Sequence, residues 1–443
     1  MTTTKDRTYQ DLFKTKNGKT YLTELPTVAK IISGQSFLYR QQGARSMILD
    51  IRLTAEIDRQ LLQVAVERSL KRYLYLTGKL IEKNGTYYLV HNTLPIVIAQ
   101  HTVFRSLGTK EVNYHLIDIT FKHKRLFISY HHALVDGRGI LPFMKTLLYY
   151  YLSFKNGQLL SVPQINLAND LLTPDEMKEP FTNLPMLKLT ADVLKKKKQK
   201  PYHLSEATAF DPQAASYRYE LAIDQISFMP FAKAHNATPA IAIGIMLAQA
   251  IRRAHSESTD PVVVNLANDL RSGITYQKTF RNCVNSIAFP INAAITSNSE
   301  FTRVATAFRE QIKLQKRPES IRETINSMLK LFNKLDNCTS LLEKQKMMAF
   351  FDTNLVDTFI LSYSGQLKLG TLEKYINEIH TYMSGTNGLS VQMLTANQKL
   401  FIDLIQSFPS EIYVKTFIDI LNENHIKYTN GGKNIFQTPH SAF

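Results

Sequence analysis

The chain of 443 residues has no tryptophan and only two cysteines, Cys283 and Cys338. Two thiols so far apart supply neither a disulfide framework nor a Cys-rich metal site, and both read as small buried hydrophobes. Acidic side chains are also scarce: 37 Asp and Glu face 53 Lys and Arg, a formal net charge of +16. That excess favours anionic partners, whether nucleic acid, an acidic membrane face or a phosphorylated small molecule. No Arg/Gly-rich or zinc-finger pattern accompanies it, so nucleic acid is not the expected partner. Long apolar runs are missing too. The longest, Ala240 to Ala248, is about half a membrane span and is soon followed by Arg252-Arg253. The first residues carry no apolar segment of the kind a signal peptide needs, and a cytoplasmic location is expected.

What is present describes an ordinary globular protein, with 44% hydrophobic and 20% charged residues. Its length exceeds one comfortable core, which suggests two lobes. Asp58 to Leu76 has helical spacing, with Leu61, Leu62, Val64, Val66 and Leu70 as its apolar stripe. "TYYLVHN" and "PIVIAQH" read as strands. "YHLIDITF", the basic turn "KHKR" and "LFISYHH" read as strand, tight turn, strand. "ILPFMKTLLYYYLSF" returns to helical period, with Pro142 expected in the first turn and Tyr149 to Tyr151 divided between core and surface. The segment 176–207, rich in Pro and charge, reads as a linker between an N-terminal lobe (1–175) and a C-terminal lobe (208–443). Within it the run Lys195 to Lys200 ("KKKKQK") reads as a solvated segment or as an electrostatic lure for anionic phosphates or an acidic carrier protein. The C-terminal lobe opens with a strand, continues with a helix started by Thr238-Pro239, and then a strand, "PVVVNLAND".

One internal comparison bears on function. "RLFISYHH" (Arg125 to His132) aligns with "KLFIDLIQ" (Lys399 to Gln406), each after a strand and a short polar turn. The second copy has Ile405 and Gln406 where the first has His131 and His132, so one unit is used twice and keeps its imidazoles once. The hexamer "NLANDL" also occurs twice, at Asn166 and Asn265, but at an offset that does not fit this repeat. Neighbouring side chains on a strand point to opposite faces, so the two histidines have different jobs. His132, taken as the last residue of its strand, shares a face with Tyr130 and is the candidate general base; His131 is the structural one. Gly137 lets the following turn pass without a Cβ clash. His115 and His123 flank a basic turn without partners at metal spacing, and no metal site is expected.

"HHALVDG" (His131 to Gly137) matches the HHxxxDG signature, and the chain resembles the CoA-dependent acyltransferase superfamily. That superfamily includes chloramphenicol acetyltransferases, condensation domains, alcohol acyltransferases and polyketide-associated acyltransferases. "LKRYLYLTGKL", "NLANDLR" with Arg271, "RNCVNSIAFPI" with Asn285 and Ser286, and "LSYSG" with Ser364 extend the resemblance over nearly the whole chain. It implies an α/β fold of two chloramphenicol-acetyltransferase-like lobes, a pseudo-dimer with an active-site tunnel between them. It further implies His132 as general base, an Asp136–Arg271 pair shaping the loops, and Tyr130, Asn285, Ser286 and Ser364 lining the channel. By the same resemblance no permanently held cofactor is expected, with acyl-CoA, or an acyl-phosphopantetheine carrier, as the expected co-substrate and an alcohol or amine as the expected acceptor. A monomer is expected. The chain departs from the plant branch, whose "DFGWG" needs the missing tryptophan, and from condensation enzymes, whose "HQDYPFE" is replaced by "KLQKRPESIRE". The expectation is an acyltransferase making an ester from acyl-CoA. The alternatives are a stand-alone condensation-type enzyme and a non-catalytic scaffold, and the intact motif argues against the scaffold.

Overall fold

The computed structural model describes residues 13–16, 19–22, 28–40, 46–182, 184, 200–207, 215–292, 295–352 and 357–437. Lys195 to Gln199 and most of the expected linker lie outside the described residues.

The first half contains β1 (Phe13–Lys16), β2 (Lys19–Leu22), β3 (Val28–Lys30), α1 (Gln35–Leu38), β4 (Ser46–Leu53) and α2 (Arg59–Leu70). It continues with β5 (Lys79–Lys83), β6 (Thr86–Val90), β7 (Ile117–Lys122), β8 (Arg125–His131), α3 (Gly137–Asn156) and α4 (Pro174–Met177). The second half begins with β9 (Ala215–Asp224), α5 (Gln225–Ala234), α6 (Pro239–Ala254), β10 (Val262–Asp269) and β11 (Val284–Ile291). Three helices follow, α7 (Asn298–Gln315), α8 (Pro318–Asp336) and α9 (Leu341–Asp352). Last come β12 (Phe359–Gln366), β13 (Ile376–Met383), β14 (Leu389–Ala396), β15 (Lys399–Gln406), α10 (Ile412–Glu423) and β16 (Tyr428–Gln437).

Local chemistry sets many of these boundaries. Asp58, Thr238 and Ser297 cap α2, α6 and α7 by accepting a main-chain N–H from the first turn. The β7–β8 and β14–β15 hairpins turn through two residues each, His123-Lys124 and Asn397-Gln398. His123, Asn397 and Gln398 adopt the left-handed backbone that such tight turns require.

The strands form two main sheets, ordered β13-β4-β8-β7 and β11-β10-β12-β14-β15-β9-β16. The repeat seen in the sequence is real at this level. β7-β8-β4-β13 and β14-β15-β9-β16 are the same run of four antiparallel strands. Even the parallel neighbour recurs. β12 runs parallel beside β14, and in the first half Ala99 makes a single parallel bridge to Thr120 of β7. "PIVIAQH" is therefore an extended segment with one bridge, not the full strand its β-branched composition suggested.

The second half lends elements to the first. β13, from the second half, completes the first sheet through pairs such as Ile379 with Ile51. Ile321, Ile325 and Phe332 of α8 and Met348 of α9 belong to the core of the first half, while α6, α7 and α10 close over the second sheet. Ionic contacts between the two sheets add to this. Asp50 of β4, wholly buried, accepts from Arg125 Nη2 at 2.6 Å and Arg218 Nη1 at 3.1 Å, and Arg218 Nε donates to Asp403 at 2.7 Å. His380 of β13 also lies 3.2 Å from Asp403. Burial opposes its charge, but Asp403 and Glu378 prevail and push its pKa up to about 9.

Several expectations need correction. Val64 lies on the solvent side of α2, being 50% exposed, because the buried stripe runs through Leu62, Ala65, Val66 and Leu70. α3 begins at Gly137, three residues earlier than read, which places Pro142 in its second turn. Tyr149, Tyr150 and Tyr151 are all buried, since α3 is packed on nearly every side. Cys338 is only half-buried, near the end of α8. No single helix among the described residues is long and apolar enough to cross a membrane, and α6 lies within the core of the second half.

Candidate active site

β8 ends at His131, whose main chain pairs with Ser46 and donates to the Leu116 carbonyl at 2.8 Å. His132 is thus the first residue past the strand, not its last. The chain turns through Ala133 and Leu134 and enters α3 with Asp136 as the cap, its Oδ1 accepting from Gly139 N–H at 2.7 Å. The two imidazoles meet different partners. His131 is fully buried, and its Nδ1 accepts from Ala133 N–H at 3.1 Å.

His132 keeps 7% of its surface exposed. Its ring lies flat on Phe37, with centroids 3.9 Å apart and planes 3° from parallel. α1, which carries Phe37, is held over the loop in two ways. Glu179 accepts from the N–H groups of Ile32 and Ser33 at 3.2 and 3.0 Å. Gly34 approaches so closely that a Cβ there would stand 2.3 Å from the Ala133 carbonyl oxygen. Asn282 holds the ring's other side: its Nδ2 lies 2.8 Å from His132 Nδ1 and donates to the His132 carbonyl at 2.9 Å. Val284 N–H donates to Asn282 Oδ1 at 3.0 Å and fixes which way that amide faces.

Burial pushes the His132 imidazole below its ordinary pKa; Asp136 and the ring's bond to its own carbonyl oppose this, and the Arg40 guanidinium assists it. Arg40 lies 5.8 Å from the centre of the Phe37 ring and is itself clamped by Asp352 at 2.9 and 2.7 Å. The ring is therefore neutral near neutral pH, the state a proton acceptor needs.

Asp136 and Arg271 meet in a two-bond fork, Nη1 to Oδ2 at 2.9 Å and Nη2 to Oδ1 at 3.0 Å. Arg271 also donates to the carbonyls of Thr279 and Arg281 at 3.1 and 2.9 Å and to Asp269 at 3.0 Å. Asp136 Oδ2 accepts in addition from Cys283 N–H at 2.9 Å. One carboxylate thereby ties the start of α3 to the turn after β10 and to the residue beside Asn282. Gly139 is obligatory in this junction, as a Cβ would stand 2.1 Å from the Phe280 carbonyl oxygen.

The remaining sequence candidates divide. Tyr130 is fully buried, and its hydroxyl has no partner among the described residues. Ser364 lies in a bulge of β12, between Tyr363 and Gln366 of its pairing with β14, and its Oγ lies 3.8 Å from where a Gly137 Cβ would be. Asn285 is half-buried and Ser286 exposed on β11, and among the described residues no hydrogen bond links either side chain to His132. Phe37 and Asn282 were missed. Asn282 lies inside "RNCVNSIAFPI", three residues before the asparagine chosen from it. As for a metal, Glu220, Glu378 and His380 bring ligand atoms within 4.8 Å of one another. The Arg52 guanidinium bonds both carboxylates, so their charge is already met.

No family model matches the chain, and no curated protein matches it. Solved structures do. Trichothecene 15-O-acetyltransferase TRI3 from Fusarium sporotrichioides superposes with a TM-score of 0.58 at 9% identity, covering 90% of this chain and 94% of that one. Polyketide synthase associated protein 5 from Mycobacterium tuberculosis gives 0.59 at 12% identity, with 89% and 98% coverage. A mutant starter condensation domain of rhizomide synthetase RzmA, in complex with C8-CoA and Leu-SNAC, gives 0.55 at 12% identity, with 90% and 94% coverage. These proteins share the fold of CoA-dependent acyltransferases and condensation domains, and the present chain has that fold.

Proposed function

We propose that the protein is an acyltransferase that moves an acyl group from a thioester, acyl-CoA first among the candidates, to an alcohol. The observation that carries this reading is the setting of His132. The ring is stacked on Phe37, met by Asn282 and kept neutral by burial, in a residue that retains 7% of its surface exposed, beside a loop that joins both halves of the molecule.

In this mechanism the neutral ring offers a nitrogen lone pair to the acceptor hydroxyl. The acceptor oxygen forms a bond to the thioester carbon while the imidazole takes its proton and the carbonyl electron pair moves to oxygen. The carbonyl then re-forms, the C–S bond breaks, and the imidazolium returns the proton to the leaving thiolate. No acyl-enzyme is needed. General-base assistance of this kind contributes about 10²–10⁴-fold, and the placing of two substrates supplies much of the rest. Asp136 and Arg271 act on the architecture, not on the substrate. Their fork holds the α3 start against the segment that carries Asn282.

The test is thiol release. The protein is mixed with acyl-CoA donors and with acylated carrier protein, each with alcohol and amine acceptors. Release from acyl-CoA with an alcohol is the expected result. Release from the carrier alone would replace it with the condensation-type reading, which the likeness to condensation domains makes the second choice. Release from neither would reject acyl transfer.

A further inference from the structure

The reaction proposed above makes a negatively charged oxygen for a moment, and a donor group stands ready for one. Tyr130 is 0% exposed, and its hydroxyl has no hydrogen-bond partner among the described residues. Buried hydroxyls are nearly always paired, so one without a partner points to a group that arrives later. Its position says where. A Cβ built on Gly137 would lie 3.9 Å from Tyr130 Oη and 3.8 Å from Ser364 Oγ, and among the described residues, leaving aside its two chain neighbours and its own helix turn, no other atom lies within 4 Å. Two hydroxyls, one from each half of the chain, thus border an open point at the first residue of the 20-residue helix α3.

The chemistry of that point is selective. Burial raises the Tyr130 pKa far above its ordinary value, so the phenol stays protonated and donates. The N-terminal end of α3 favours negative charge. Asp136 is close enough to oppose a permanent anion, although Arg271 answers its charge. A neutral carbonyl that turns anionic only during reaction meets all three conditions; a carboxylate or an amine does not.

We propose that Tyr130 donates a hydrogen bond to the thioester carbonyl oxygen and strengthens it as that oxygen becomes the oxyanion. This rests on the acyl-transfer reading, and the experiment separates the two. Tyr130→Phe is compared with the wild type in thiol release from octanoyl-CoA and a small primary alcohol, and in the binding of two unreactive probes. One probe replaces the thioester sulfur by CH₂ and keeps the carbonyl; the other is the octyl-CoA thioether, which has none. The variant is expected to lose about 10²-fold in kcat, the scale of removing one oxyanion donor. It should bind the ketone probe roughly 3–10-fold more weakly, as for one lost hydrogen bond, and the thioether equally. It should unfold at the wild-type denaturant concentration or above, because the deleted hydroxyl had no partner. Unchanged kcat with equal ketone binding would overturn the proposal. So would a loss confined to the KM of the alcohol, or equal weakening for both probes. If the wild type binds the probes without releasing thiol, acyl transfer fails while the ketone-against-thioether comparison still decides the role of Tyr130. If it binds neither, both readings fall.

Discussion

Replacing Asp136 by alanine should destabilise the protein before it says anything about chemistry. The carboxylate accepts four hydrogen bonds, two from Arg271 and one each from the main chain of Gly139 and Cys283. Breaking a buried ion pair by deleting one partner costs about 3–5 kcal/mol, mostly because the other charge is stranded. Arg271 retains two carbonyls and the Asp269 carboxylate, so the lower end applies, about 3 kcal/mol. With a urea dependence of roughly 1–3 kcal/mol per molar, the unfolding midpoint should fall by on the order of 1 M. The assay is urea unfolding followed by circular dichroism, run beside the double variant Asp136→Ala/Arg271→Met. Removing the stranded cation should return part of the loss. An unchanged midpoint in the single variant, or a double variant no more stable than the single, would refute the reasoning that this pair is architectural.

Three further outcomes are expected. Phe37→Leu opens one face of His132 to water and should raise its pKa; the acidic limb of the pH–rate profile then moves to higher pH, and a fixed limb would contradict the role given to the stack. Gly139→Ala forces a Cβ into the Phe280 carbonyl and should cost ~1–3 kcal/mol in unfolding free energy, where wild-type stability would show that the junction can yield. His380 titrates at about 9 in the folded protein against ~6.5 unfolded. Its stabilisation is therefore complete below about pH 6.5 and is lost as pH rises through 9, roughly 3 kcal/mol at most. His380→Gln should flatten that decline in urea unfolding measured from pH 6 to 10, and an equally steep decline in the variant would assign it to other groups.

How much of this was legible in the sequence depended on distance along the chain. The β7–β8 and β14–β15 hairpins, the capped start of α6 and the repeat of β8 in β15 are encoded by neighbouring residues and were legible; the β1–β2 and β5–β6 hairpins were not read. The site was legible only where it is contiguous, along HHALVDG. Phe37 reaches His132 from 95 residues earlier in the chain and Asn282 from 150 later, and neither carries a local signal. An aromatic on a one-turn helix and an asparagine before a strand are ordinary features, and only the fold gives them meaning. The transfer of β13 into the first sheet was hidden for a related reason. Its apolar residues Ile376, Ile379 and Tyr382 do not follow the two-residue alternation of a half-buried strand, and nothing in "INEIHTYM" says which sheet it joins. The charges of Asp50, Arg218, Glu220 and Asp403 were likewise invisible as a network, because they are spread over three strands, β4, β9 and β15, that only the fold brings together.

The account stands most directly on His132→Ala, read by thiol release from acyl-CoA with an alcohol acceptor and by urea unfolding of the same preparation. The variant should lose about 10²–10⁴-fold in kcat while its unfolding midpoint stays near that of the wild type. A variant that turns over at the wild-type rate would remove this imidazole from the chemistry and with it the mechanism proposed for the protein.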